Sequence, residues 1–204
     1  MRRLSLLLLI AIPSLSCGGD LRHLVREGDL IFQTSTSSQS QAIEIATRSP
    51  FSHVGIILFA DKKPYVFEAI DPVAYTLLNE WIARGKEASF CIKRLRDDTR
   101  FTQDALFRIH TAARQFYKRP YDWHFGWSDD RLYCSELVWK IYKTAMDIEL
   151  SQPKRLRDFD LNSSIVRTKL RERYGNDIPY DETVVSPSDI FDSAQLVTIY
   201  SGQK

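Results

Sequence analysis

Hydrophobic positions fall into short, nearly continuous runs in the first half of the chain and recur at helical spacing in the second. Gly28-Asp29-Leu30-Ile31-Phe32-Gln33 predicts a short strand entered through a turn residue. Gln39 to Thr47 carries Ala42, Ile43, Ile45 and Ala46 at helical spacing. His53-Val54-Gly55-Ile56-Ile57-Leu58-Phe59 is β-prone and almost wholly apolar, the pattern of a central strand buried on both faces. Asp61-Lys62-Lys63-Pro64 reads as a turn, and Tyr65 to Ile70 as the returning arm of a hairpin. A short helix over 77–83 ends near Gly85, and 90–95 is another strand. Residues 101–117 predict an amphipathic helix with Ala105, Ile109, Ala112, Ala113 and Phe116 on one face; Pro120 forbids its continuation. A second long helix covers 133–145 with Leu137, Val138 and Ile141 inward. A third covers 165–174, stopped by Gly175, and 196–200 closes the sheet. Strands early and helices late imply segregated layers, an α+β fold with an antiparallel sheet packed against helices.

The first residues read as an address. Arg2 and Arg3 precede a nine-residue apolar run, Leu4 to Ile12, the form of a secretory signal. The run is too short for a membrane span, which needs about 20 residues. Ser14 and Ser16 suit cleavage before Cys17. The segment also resembles a bacterial lipobox in which Cys17 would be acylated, although Ser14 and Leu15 depart from its usual order. Residues 1–18 are therefore a leader. Residues 19–204, without repeat or linker, are expected to form one domain. Export places the protein in the periplasm, or on the outer membrane if Cys17 is lipidated, and contact with a membrane is expected only through the signal or that lipid.

Composition narrows the function classes. Of 204 residues, 44% are hydrophobic and 26% charged, which argues against a disordered, collagen-like or multi-span chain. Without Arg2 and Arg3 the basic residues equal the 26 acidic ones, so nothing points to nucleic acid. No metal-binding His or Cys spacing and no Gly-rich phosphate loop is present, and no cofactor is expected.

Three residues carry candidate chemistry. Cys134 begins an apolar-periodic helix, with Asp129 and Asp130 ahead of it as candidate caps. A thiol in the first turn faces unpaired N–H groups and the positive end of the helix dipole, which favour thiolate. The same position also suits a small buried hydrophobe. His53 opens the central strand and could take the thiol proton, or be a satisfied histidine at a strand end. Gly55, two residues on, leaves room for a group or substrate to approach. Glu68 is the one charge in Val66-Phe67-Glu68-Ala69-Ile70. It needs a partner if buried, and an imidazole would serve; on an edge strand it would face water. Hairpin register decides whether His53 and Glu68 share a face. His124, on a loop, is a secondary base candidate. Cys91 is the rival: in an exported chain it could pair with Cys134 in a disulfide.

These residues stand within longer stretches: Gly28-Asp29-Leu30-Ile31-Phe32, Ser52-His53-Val54-Gly55, Tyr65-Val66-Phe67-Glu68-Ala69 and Lys118-Arg119-Pro120-Tyr121-Asp122. Trp127 through Glu136 and Glu182-Thr183-Val184-Val185-Ser186-Pro187 continue the pattern. In them the chain resembles the YiiX family of permuted papain-like proteins, within the broad NlpC/P60 superfamily of cysteine hydrolases. The resemblance covers nearly everything after the leader. It implies a circularly permuted papain-like fold in which the histidine and acid strands precede the cysteine helix. It also implies Cys134 as nucleophile, His53 as general base and Glu68 as the acid that orients His53.

The backbone N–H of Cys134 is the first oxyanion donor to consider, and the Tyr121 hydroxyl a second. Trp123, Trp127 and Tyr133 crowd the loop before the nucleophile and are candidates for gripping substrate. The expected activity is thiol-dependent hydrolysis of amide bonds in the bacterial envelope through an acyl-enzyme. The substrate would be a cell-wall peptide or an N-acyl amino acid or peptide. A lipid-directed acyl hydrolase or acyltransferase of the same design, and a non-catalytic binding module, are the alternatives.

Overall fold

The structure is a computed structural model and describes residues 21–202. The leader and Cys17 lie outside the described residues. The strands are β1 (Leu30–Gln33), β2 (His53–Ala60), β3 (Lys63–Glu68), β4 (Ala74–Leu77), β5 (Phe90–Leu95), β6 (Lys154–Arg155), β7 (Thr183–Val184) and β8 (Leu196–Gly202). The helices are α1 (Ser40–Thr47), α2 (Leu78–Arg84), α3 (Gln103–Phe116), α4 (Cys134–Met146), α5 (Ser164–Tyr174) and α6 (Pro187–Phe191). Six strands form one sheet in the order β4-β3-β2-β1-β5-β8, every neighbour antiparallel, and β6 pairs with β7 in a separate ribbon.

Alternation along the strands divides the sheet into two buried faces. Leu30, Phe32, Val54, Ile56, Leu58 and Phe67 belong to the larger core, with the apolar stripes of α3 and α4. Ile31, Ile57, Val66, Phe90 and Ile92 face the other way and are covered by Val25, Leu78 and Trp81. A sheet covered on both sides explains the nearly unbroken apolar run of β2.

The β2–β3 hairpin turns through Asp61 and Lys62, both at positive φ (49° and 61°), between the paired residues Ala60 and Lys63. Two positive φ values are what a tight hairpin with matching strand twist demands. Lys63 and Pro64 therefore belong to the strand and not to the turn, while Ala69 and Ile70 lie beyond its end. The register pairs Ile56 with Phe67, which carries His53 and Glu68 onto one face at the same end of the sheet. Ahead of α2, residues 74–77 form the edge strand β4, which periodicity had not signalled because the segment is short and only half-buried. The cap of α4 is also different from expectation. Tyr133 holds that position, and its N–H donates to Glu136 Oε2 at 3.3 Å. Asp129 instead pairs with Lys140, at 2.8 Å.

Gly55 is needed for packing within the sheet. A Cβ there would lie 2.3 Å from Val66 Cγ1 and 3.0 Å from the Phe67 carbonyl oxygen. The space beside it is filled by Val66 and is not an approach for substrate. Gly55→Ala should destabilise the protein by about 1–3 kcal/mol, read as a lower urea midpoint. Val66→Ala in the same chain should recover part of that loss.

Candidate active site

Cys134 is the first residue of α4 and is buried where that helix packs on β2. Burial alone would raise its pKa. A hydrogen bond from His53, the charge of the imidazolium, and a hydrogen bond from the Val54 N–H outweigh burial and hold the thiol below its ordinary value. Burial likewise opposes a charge on His53, yet its bonds to Cys134 and Glu68 lift its pKa to about 9. Both shifts describe one state, a thiolate beside an imidazolium.

The imidazole is held from behind. Its Nε2 lies 2.6 Å from Glu68 Oε2, which leaves Nδ1 for the sulfur. Glu68 has 0% of its surface exposed, so its charge must be met inside the protein. Thr76 Oγ1 donates to Oε1 at 2.6 Å, Trp81 Nε1 to Oε2 at 2.9 Å, and Arg84 Nη2 to both oxygens at 2.7 and 2.6 Å. Burial pushes the Glu68 pKa up, but His53 and Arg84 bring it down to about 2. Trp81 also stacks on the His53 ring, centroids 5.8 Å apart. Thr76, Trp81 and Arg84 were not foreseen. A signal was present, since Trp81 and Arg84 are three apart on a short helix and share a face.

In front of the sulfur lies a cavity of about 100 Å³. Tyr121, Tyr133, Ser52 and Ser135 line it near Cys134; α1, α5, residues 156–161 and residues 184–187 line the remainder, mostly with apolar side chains but also with Lys169 and Arg173. Tyr121 is buried, and its hydroxyl accepts a hydrogen bond from Gln39 Nε2 at 3.2 Å. Burial and the charge on Cys134 both push its pKa up, so it stays protonated. The Tyr133 hydroxyl accepts from the Val185 N–H at 3.2 Å. Trp123 and Trp127 are not among the lining residues: Trp123 is 51% exposed against Tyr121, and Trp127 packs on Trp139. His124 packs beside Tyr174. Cys91 and Cys134 are both free, and burial raises the Cys91 pKa.

A family model described as a permuted papain-like amidase enzyme, YaeF/YiiX, C92 family, matches residues 24–200. The chain belongs to this family. It is accordingly a cysteine hydrolase of the amidase and peptidase kind, with a permuted papain-like fold and a peptide or amide substrate. The chain is 43% identical over 198 residues to an uncharacterised protein, YiiX, of Escherichia coli K12, covering 97% of this chain and 94% of that one. It also resembles the crystal structure of YiiX from Escherichia coli O157:H7, described as a metalloprotein. There the TM-score is 0.85 and the identity 44%, over 88% of this chain and 98% of that chain. Among the described residues of the present family member, no group of three or more His, Cys, Asp or Glu is placed to hold a metal ion.

Two expectations follow for this amidase. At neutral pH iodoacetamide should alkylate Cys134 at least about tenfold faster than Cys91, read by peptide mass spectrometry, and His53→Ala should remove most of that difference. The second concerns Glu68. Its folded pKa is depressed, from 4.5 to about 2, so the stability it contributes is present above 4.5 and lost as pH falls toward 2. Arg84→Met should raise that folded pKa and shift acid unfolding upward by up to about 1 pH unit, followed by near-ultraviolet circular dichroism.

Proposed function

We propose that the protein is a thiol-dependent amidase of the bacterial envelope that cleaves N-acyl amides whose acyl group is aliphatic. The observation that carries this reading is the hydrogen-bonded series Cys134–His53–Glu68 beside a largely apolar cavity. Ala42, Ile43, Ala46, Val166 and Leu170 offer a polar cell-wall peptide few partners, whereas an acyl chain would gain about 0.8 kcal/mol per methylene buried there. The leader at residues 1–18 supports the envelope assignment.

The chemistry follows from the charge states. The Cys134 thiolate attacks the amide carbon, and the carbonyl oxygen becomes an oxyanion. Two donors suit that oxygen. One is the Cys134 N–H, which lacks a partner within the helix. The other is the Tyr121 hydroxyl, whose lone pair is taken by Gln39 and whose proton is free. The His53 imidazolium gives its proton to the leaving amine as the C–N bond breaks, leaving a thioester. Neutral His53 then takes a proton from water as that water attacks the thioester. The acid departs, and the thiolate–imidazolium pair is restored. Glu68 stays ionised throughout and fixes the ring.

The test is to incubate wild type and Cys134→Ala with N-butanoyl amino acids, whose acyl chain matches the cavity volume, and with a muropeptide digest, and to trap the acyl-enzyme by mass spectrometry. Wild type should gain the mass of the acyl group from the first and none from the second; Cys134→Ala should gain neither. Labelling from muropeptides alone would defeat the N-acyl assignment, and passage of the acyl group to an added amine or alcohol would make the protein a transferase. Because His53 has a raised pKa, its proton is available below about 9. The rate constant kcat/KM should therefore fall as pH rises through that value.

A further inference from the structure

One face of α5 looks into the cavity through Val166, Lys169, Leu170 and Arg173. A helix stripe facing an apolar space is expected to be apolar, yet two of these four residues are cationic. Lys169 already has a counter-charge, Glu172 Oε2 at 2.6 Å. Arg173 does not. Nη2 donates to Gln39 Oε1 at 2.7 Å, its guanidinium lies 4.0 Å above the Phe125 ring, and it bonds to the Tyr174 hydroxyl. All three partners are neutral. Asp122 and Glu182 act on the adjacent Tyr174, but among the described residues neither forms an ion pair with Arg173. Arg173 is half-buried; its guanidinium cannot shed its proton, and among the described residues no anion meets it on the side facing the cavity.

Gln39 fixes where that charge acts. Its amide oxygen accepts from Arg173 while its amide nitrogen donates to the Tyr121 hydroxyl. Arg173 is thus one side chain away from the group that faces the nucleophile. From this arrangement we infer that Arg173 is an anion subsite: it binds a carboxylate or phosphate borne by the amine half of the substrate, close to the scissile amide. The inference rests on the N-acyl amidase reading and adds to it the charge of the leaving group. Arginine suits the task because its planar fork meets both oxygens of a carboxylate, or two of a phosphate, at once.

The experiment compares three substrates that share a butanoyl chain: N-butanoylglycine, N-butanoyl-O-phosphoethanolamine and the uncharged N-butanoylglycinamide. Wild type should favour at least one anionic substrate over the carboxamide by at least about tenfold in kcat/KM, and which one identifies the anion. Arg173→Met should lower kcat/KM for the favoured anion at least tenfold more than for the carboxamide. Arg173→Lys should restore part of the preference. Binding of the same three molecules to Cys134→Ala by calorimetry should show the same order without turnover. Equal rates on all three substrates by wild type, or equal losses on all three in Arg173→Met, would overturn the anion subsite and leave the amidase reading intact. Cleavage of none of them would overturn both.

Discussion

Everything at this site depends on keeping a carboxylate ionised where no water reaches it. Burial opposes the charge on Cys134, on His53 and on Glu68 alike. None of the three would be charged alone. Together with Arg84 they alternate in sign, thiolate, imidazolium, carboxylate, guanidinium, and sum to zero. Each charge is flanked by its opposite, so the desolvation cost of one is offset by the attraction of the next. The outer end of the series is where solvent enters, for the Arg84 side chain is 41% exposed. A buried ion pair that would otherwise be neutralised by proton transfer is in this way tied to a hydrated cation at the protein surface.

The topology makes this series short. β2 and β3 are joined by two residues, so His53 and Glu68 come from one hairpin. α2 follows β4 directly and brings Trp81 and Arg84 back over the same end of the sheet. The first four elements after α1 thereby bring His53, Glu68, Trp81 and Arg84 together before the chain reaches Cys134. α4 needs only to dock its first turn against the start of β2. Val54, the neighbour of His53, contributes an N–H to the sulfur. A permuted order of catalytic residues is therefore compatible with a compact site, because each half is built by local connections and they meet at one strand end.

Much of the fold was legible because both faces of the central sheet are buried and the two long helices are strongly amphipathic. β5 appears over the residues its apolar run indicated, and α3 and α4 within two residues of theirs. Register was not legible. It turns on the positive φ of Asp61 and Lys62, neither of them a glycine, and a shift of one residue would have sent Glu68 to the opposite face. The pairing of His53 with Glu68 could be suspected from residue types alone, but its clamp could not. Arg84 sits on a seven-residue helix and looks in sequence like an ordinary charge at a helix end. The cavity was hidden for another reason: its walls come from α1, residues 121–135, residues 156–173 and residues 184–187, and no local pattern marks segments that distant as sharing one space.

The same cavity sorts its polar groups by distance from the sulfur. Ser52 precedes His53, Ser135 follows Cys134 and donates to the Val185 carbonyl at 2.7 Å, and Ser186 follows that carbonyl. Connectivity thus places Ser52 and Ser135 beside His53 and Cys134, while Tyr121 and Gln39 reach the same region through the fold. Ala42, Ile43, Ala46, Val166 and Leu170 come from elements that make no hydrogen bond to the nucleophile, and apart from Lys169 and Arg173 the walls between them are aliphatic. Such a gradient imposes a direction on an amphiphilic amide. Reversing the substrate would strand its polar end among methyl groups, leaving donors and acceptors unmet at about 1–3 kcal/mol each. It also separates two demands that a thiol hydrolase places on one space. In the proposed reaction, the acyl half must be held away from water, while the thioester must be open to a single water molecule beside His53. An evenly apolar cavity would exclude that water, and an evenly polar one would not retain the chain.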